Sequence, residues 1–236
     1  DTNRVHERNS VMFFIIITQA NSIVVSNLTT FAQERALLSR ERAKKMYGVL
    51  PYFLAKTAGD VTNSVLLPTL YSAATYWLVG LRPSLSSFFT YFLVYYFTIS
   101  TAQATGLFLS VAIPSVQVGL LLAPAINLFL VILGGFYVPL SNLNPVIRWA
   151  SYLSFARYGF SAMISNEFSG RDIPCAEGEV FISVGGSGEC PLSGDEVVRS
   201  MGVTGPFANV WVNVAMLVGI QVALRGTCYW MLLFSK

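Results

Sequence analysis

Charged side chains, and the residues used most often in catalysis, are scarce in this chain. Only 11% of its 236 residues are charged, whereas ordinary globular domains carry about 25%. His6 is the only histidine, too little for a histidine-based metal site or a histidine-dependent triad. No GxxxxGK[ST] phosphate-binding motif occurs, and the basic residues do not form the stripe typical of nucleic-acid binding. The sequence therefore predicts no catalysis, no cofactor and no nucleic-acid partner for this chain, and it disfavours an intramembrane enzyme.

Hydrophobic residues, by contrast, make up 54% of the chain and are concentrated in five long apolar stretches. A helix of about 20 apolar residues crosses the hydrocarbon core of a bilayer, where every backbone polar group has to be hydrogen-bonded. The sequence therefore predicts an all-α, polytopic membrane protein with about five spanning helices in a single domain, residues 1–236, surrounded by membrane lipids. The predicted spans are residues 11–30, 61–80, 88–112, 118–138 and 207–234. The run from Pro145 to Phe168, after the fourth span, is predicted to be amphipathic.

The two long connections between these spans differ in charge. The segment at residues 31–58 is basic, whereas the loop at residues 139–206 carries an excess of Asp and Glu. Since loops rich in Lys and Arg remain in the cytosol, we expect the basic segment inside, the acidic loop outside and the N-terminus outside. An apolar stripe (Phe31, Leu37 and Leu38) on the basic segment is typical of a helix that lies in the membrane interface or contacts a partner. The sequence leaves both possibilities open.

Two further features concern single side chains. Cys175 and Cys190 both fall in the acidic loop. In an oxidising exterior we expect them to form a disulfide that closes a loop of about 15 residues and stabilises the fold by about 3 kcal/mol; the alternative is two free thiols. Arg225 lies well inside the last apolar stretch, so its charge has to be paired, to face a cavity or to snorkel towards the interface.

Five short strings occur in order along the chain: Gln33-Glu-Arg35, Arg40-Glu-Arg-Ala43, Gly135-Phe-Tyr-Val-Pro139, Arg157-Tyr-Gly-Phe160 and Asn166-Glu-Phe168. Together they resemble the transmembrane domain of ABC transporters of the G subfamily (White and pleiotropic-drug-resistance type), which has the ABC-2 membrane fold. The resemblance implies six helices that follow a cytosolic ATPase domain, and it makes the first span here the family's second. The ATPase domain and the first helix are absent from this sequence.

The same resemblance implies roles for individual residues. Glu41 and Arg42 would couple the membrane domain to the ATPase domain, and Cys175 and Cys190 match the family's intramolecular disulfide. The residues that would line the substrate cavity are Thr18, Gln19 and Asn21 on the first span and Asn127, Leu128 and Val131 on the fourth. Those of an upper valve would be Phe136 and Tyr137. For the cavity residues, the alternative role is ordinary helix packing.

The function that the resemblance implies is that of the membrane half of an ATP-driven exporter of lipids, sterols or xenobiotics. It would work as a homo- or heterodimer in the plasma membrane, with ATP and Mg²⁺ bound at a nucleotide-binding domain of the same or a partner chain. The alternative is a non-transporting scaffold or receptor subunit derived from a truncated transporter. Coding sequence for a Walker A motif upstream of Asp1 would favour the exporter.

Overall fold

Seven α-helices account for most of the chain that the structure describes, so the prediction of an all-α fold is confirmed. The computed structural model describes residues 2–44, 46, 48–113, 115–134, 149–171, 180–183, 186–189 and 193–234. Two short 3₁₀ turns, Ala150–Leu153 and Gly205–Ala208, precede the fifth and seventh helices. The helices are α1 (Thr2–Ala43), α2 (Val49–Val79), α3 (Leu85–Ala112), α4 (Val116–Ile132), α5 (Phe155–Phe168), α6 (Gly194–Ser200) and α7 (Val210–Phe234).

A small antiparallel hairpin lies in the acidic loop and was not predicted. Strand β1 (Val180–Ser183) pairs with β2 (Gly186–Glu189) so that Val180 lies opposite Glu189. The run Val-Phe-Ile at the start of β1 has the β-branched and aromatic composition of a strand, a signal that the charge count of this loop does not use. Two four-residue strands leave the fold class unchanged.

The long apolar helices make the chain a multi-pass membrane protein. Among the described residues, three segments are long and apolar enough to cross a bilayer: Glu7–Arg35, Leu85–Ala112 and Val210–Phe234. They contain the first and third predicted spans and most of the fifth. The second predicted span covers the later part of α2 and its C-cap, Gly80. The fourth begins in α4, a helix of 17 residues, and continues beyond the described residues. The count of five spans stays a prediction.

Helix α3 is the centre of the bundle and packs against α1, α2, α5 and α7. All residues from Thr98 to Leu107 are buried, so the hydroxyl groups of this stretch need partners inside the protein. Thr101 Oγ1 donates to the carbonyl oxygens of Phe97, at 2.7 Å, and Leu217, at 3.3 Å. The second of these bonds joins α3 to α7, the use that membrane bundles commonly make of Ser and Thr.

Two glycines allow the helices around α3 to approach it closely. A Cβ atom on Gly106 of α3 would lie 2.7 Å from the carbonyl oxygen of Val24 in α1, and one on Gly159 of α5 would lie 2.5 Å from Thr98 Oγ1. Real Cβ atoms do not approach other atoms so closely, so a larger residue at either position would force the helices apart.

Helix α5 differs from its sequence prediction. The run of residues 145–168 was predicted to be amphipathic, but every residue of α5 except Asn166 is buried. The helix contacts α1, α3 and α7, and its polar side chains bond to other parts of the protein. Asn166 Nδ2, for example, donates to the carbonyl oxygen of Ser87 at the start of α3, at 2.9 Å. The polar residues that an amphipathic helix would expose on one face therefore lie against neighbouring elements here.

Two polar clusters mark the opposite ends of α1. Arg8, near its beginning, bonds to Glu167, whereas Glu34, near its end, bonds to Lys56. These two α1 residues are 26 positions apart, which is about 39 Å along a helix at 1.5 Å per residue. That length matches a bilayer with its headgroup regions, about 40–45 Å, so the clusters lie at its two surfaces.

Candidate functional site

The face shared by α1 and α4 carries the residues predicted to line a cavity, and its position follows from small side chains. Ala20, Val24 and Leu28 form the buried stripe of α1. Gly119 of α4 lies against Leu28, where a Cβ atom would be 3.1 Å from Leu28 Cδ1. The close approach of the two helices leaves the next turn of α1 beside the middle of α4.

Two asparagines meet across the contact between α1 and α4, the α1–α4 seam. Asn127 Nδ2 donates to Asn21 Oδ1 at 3.4 Å, the long end of a hydrogen bond. Asn127 is 2% exposed, whereas Asn21 lies on the surface of the protein. The Oδ1 atom of Asn127 is buried and has no hydrogen-bond partner among the residues that the structure describes. The pair is therefore only partly hydrogen-bonded.

The structure separates the six predicted cavity residues into two groups. Thr18, Asn21 and Leu128 are exposed, Leu128 by 51%. Gln19 is half-buried, while Asn127 and Val131 are buried in the seam. The Thr18 hydroxyl donates to the carbonyl oxygen of Phe14 in its own helix, which leaves mainly its methyl group to a neighbour. The structure thus brings α1 and α4 residues together, and their role in binding a substrate stays a prediction.

The depth of this face in the membrane can be read from α1. Asn21 is the central residue of the membrane-spanning segment Glu7–Arg35, which has 29 residues. A carboxamide on a surface that touched only lipid tails would lose its hydrogen bonds to water without replacement. An exposed asparagine at mid-bilayer therefore indicates that this face is covered by something other than lipid tails alone.

The segment predicted to couple to an ATPase domain is a direct continuation of the first span. Helix α1 runs for 42 residues without a break, so Glu41 lies in the last turn of the same helix that carries Asn21. Glu41 is half-buried, and Arg42 belongs to the same turn, with its side chain outside the described part of the structure. The rest of the predicted segment includes the start of α2.

Glu34 joins the C-terminal end of α1 to α2. Its carboxylate accepts hydrogen bonds from Lys56 Nζ at 2.8 Å and from the Tyr52 hydroxyl at 2.9 Å. The same part of α2 also contacts α7, because the rings of Phe53 and Tyr229 lie 5.6 Å apart. The C-terminal end of α1 is therefore connected to α2 directly and to α7 through α2.

The N-terminal end of α1 is held by Glu167, a residue for which the sequence predicted no role. Its side chain is 3% exposed and bonds to Arg8 Nη1 at 2.7 Å and Arg171 Nη1 at 3.2 Å. It also accepts from the backbone N–H of Arg82, between α2 and α3, at 2.9 Å. The available signal was a single carboxylate at the end of the otherwise uncharged run 158–168.

Helix α5 also carries a buried cation, Arg157, ten residues before Glu167. Arg157 Nη1 donates to Ser151 Oγ at 2.7 Å, and its guanidinium carbon lies 4.6 Å from the ring centre of Tyr152 and 4.9 Å from that of Phe207. Two aromatic faces and a hydroxyl replace a counter-charge here. Burial raises the pKa of the neighbouring Tyr158 phenol, which donates to the carbonyl oxygen of Tyr152 at 2.8 Å.

The remaining predicted residues divide between buried and undescribed positions. Arg225 is 8% exposed, so it does not snorkel to the surface of the protein, and its guanidinium has no hydrogen-bond partner in the described part of the chain. Phe136, Tyr137, Cys175 and Cys190 lie outside the described residues. Within the described ranges, no group of three or more His, Cys, Asp or Glu side chains could hold a metal ion.

Comparisons with known proteins relate the whole chain to transporters. Residues 1–168 match the family model described as ABC-2 type transporter. The chain is 30% identical over 92% of its length to ABC transporter G family member 1 of Dictyostelium discoideum, and it covers 28% of that protein. It is 28% identical over its full length to the broad substrate specificity ATP-binding cassette transporter ABCG2 of Sus scrofa, and it covers 36% of that protein. The chain thus spans about a third of the length of these relatives.

Proposed function

This chain belongs to the ABC-2 type transporter family, and on that premise we propose that it is the membrane-spanning part of an ATP-driven exporter of lipophilic molecules. The proposed substrates are lipids, sterols or xenobiotics. A relative whose name describes broad substrate specificity supports an exporter that accepts lipophilic molecules of several kinds. The chain would bind no nucleotide itself, and ATP with Mg²⁺ would be bound by a nucleotide-binding domain outside it.

The observation that carries this proposal is the exposed α1–α4 face at the middle of the membrane. Asn21 and Thr18 present polar atoms and a methyl group, and Leu128 adds an apolar surface. A mostly apolar surface with a few fixed polar groups is typical of a site for a lipophilic ligand. It supports a pathway that passes along this face.

A pathway on the surface of one copy needs a second wall. We propose that a second membrane domain, identical or related, covers this face, so that the substrate passes between two copies of α1 and α4. Such a dimer, homo- or heterodimeric, would remove Asn21 from contact with lipid tails. The plasma membrane is the proposed location.

The continuity of α1 supports a route for coupling to ATP. Glu41 and Asn21 are 20 residues apart on one unbroken helix, about 30 Å. An ATPase domain that moves the segment around Glu41 and Arg42 would therefore displace the midpoint of the pathway directly. The Glu34–Lys56 ion pair, 2.8 Å, would carry α2 along. Substrate would then leave past Phe136 and Tyr137, the proposed valve.

The test uses the protein with its ATPase domain in inside-out vesicles and measures ATP-dependent uptake of the lipophilic dye Nile red. Asn21→Trp fills the proposed pathway and should abolish uptake. Val222→Trp is the matched control, because Val222 is 66% exposed on α7, away from the α1–α4 seam, and it should leave uptake unchanged. Normal uptake by Asn21→Trp would remove this face from the pathway, and ATP turnover without any uptake by the wild type would favour the scaffold alternative.

A further inference from the structure

The Asn21–Asn127 pair leaves one buried polar atom without a partner. Asn127 Nδ2 is engaged by Asn21 Oδ1 at 3.4 Å, whereas Asn127 Oδ1 accepts no hydrogen bond from the described residues. A buried carbonyl oxygen that gives up water without replacement is unfavourable. The α1–α4 seam therefore lacks one hydrogen-bonding group.

The kind of group that is missing follows from the chemistry of a carboxamide. The amide of Asn127 can be turned by 180° at little cost in shape, which exchanges its oxygen and its NH₂ group. In the orientation described here, the free atom of Asn127 is Oδ1 and needs a donor. If both amides are turned, the free atom of Asn127 is Nδ2 and needs an acceptor. A hydroxyl group serves in both cases because it donates and accepts. An ester or ether oxygen serves in only one orientation, and an ammonium serves only in the other.

The seam can be opened to such a group from the exposed side. Asn21 lies on the surface, and its contact with Asn127 is a neutral hydrogen bond at the long end of the range. A rotation of the Asn21 side chain breaks this single bond and releases the Nδ2 group of Asn127. The surroundings are otherwise apolar, with Leu128 exposed beside the pair and Val131 one turn away.

We propose that Asn127 and Asn21 are specificity-determining residues that select lipophilic substrates carrying a free hydroxyl group. The alcohol O–H would donate to Asn127 Oδ1, and its oxygen would accept from Asn21 Nδ2. This proposal rests on the proposed export function, because it assigns the substrate class of the same face. It adds that an alcohol binds better than an otherwise identical methyl ether.

The experiment compares farnesol with farnesyl methyl ether on the full-length protein, including its ATPase domain, in phosphatidylcholine nanodiscs. Apparent dissociation constants come from the dependence of the thermal unfolding midpoint on the concentration of each compound. Wild type should bind farnesol about fivefold more tightly than the ether, the size of one net hydrogen bond. Asn127→Leu and Asn21→Leu should bind the two compounds equally.

Thr227→Val is the matched control, since Thr227 is exposed on α7, outside the α1–α4 face, and its hydroxyl already bonds to the carbonyl oxygen of Ala223 in its own helix. It should keep the preference for farnesol. Equal binding of the two compounds by the wild type, or an unchanged preference in Asn21→Leu, would overturn the proposal even if Asn127→Leu does not fold. Nile red has no hydroxyl group, so its export by the wild type tests the proposed function separately. Normal Nile red export together with equal binding of farnesol and its methyl ether would refute only the preference for alcohols. No Nile red export by the wild type would refute the proposed function.

Discussion

Replacement of Glu167 tests whether one buried carboxylate holds three elements together at the N-terminal end of α1. Its side chain is 3% exposed and accepts hydrogen bonds from α1, from the α2–α3 connection and from Arg171, three residues after α5. Glu167→Ala leaves Arg8 and the Arg82 N–H without their partner. Removal of one member of a buried ion pair costs about 3–5 kcal/mol, so we expect the free energy of unfolding to fall by that amount.

Glu167→Gln separates the effect of charge from that of shape. It keeps the size of the side chain and one carbonyl oxygen but weakens the bonds to both guanidinium groups. Hydrogen bonds to charged groups contribute about 1.5–3 kcal/mol each. The amide oxygen of glutamine still accepts a hydrogen bond, so part of this free energy is retained. We expect a loss of about 1–3 kcal/mol, smaller than in Glu167→Ala.

The assay is reversible unfolding of the purified chain in mixed micelles, followed by far-ultraviolet circular dichroism. Arg171→Gln is the matched control, because the side chain of Arg171 is 37% exposed and such pairs contribute about 0–1 kcal/mol. If Glu167→Gln lies within about 0.5 kcal/mol of the wild type, the size expected of an ordinary surface substitution, the carboxylate does not hold the three elements.

Two other predictions concern the last turn of α1, which carries Glu41, and the orientation of the chain in the membrane. Glu41→Lys in the full-length protein should abolish ATP-dependent Nile red export without loss of folded protein, since like charges at an interface cost far more than an exposed pair contributes; normal export would make this turn of α1 an interfacial helix only. A single cysteine introduced at Ser193 should react with an impermeant thiol reagent on intact cells, and one at Ser39 should not, because the basic segment is expected in the cytosol. Labelling at Ser39 would reverse the orientation.

The long helices could be predicted from the sequence because their signal is local. An apolar stretch of 20 or more residues needs no partner to be recognised, and α1, α3 and α7 contain such stretches. Periodicity failed for α5, because the partners of its polar residues are distant in the chain. Glu167 bonds to Arg8, 159 residues away, and Asn166 bonds to Ser87, 79 residues away. Nothing near α5 in sequence shows that its polar residues are buried.

The α1–α4 seam could be predicted only in part from the sequence. Asn127 is a single amide in the otherwise apolar run of residues 118–134, a signal that a spanning helix has a protein-facing side. The sequence alone does not indicate which residue it meets, and the resemblance to a family supplied the α1 residues. The 3.4 Å bond to Asn21 joins two residues that both belong to the predicted cavity set.

The bonds along α1 differ in strength, and we expect that difference to decide where the bundle opens when this helix is displaced. Arg8, Asn21 and Glu34 follow one another at intervals of 13 residues, about 20 Å, and each joins α1 to a different element. The first and last bonds are charge-assisted contacts of 2.7 Å and 2.8 Å, roughly twice as strong as neutral ones. The Asn21–Asn127 bond joins two neutral amides at 3.4 Å. We therefore expect a movement that strains all three to break the Asn21–Asn127 bond first and to open the seam there while both ends of α1 stay attached.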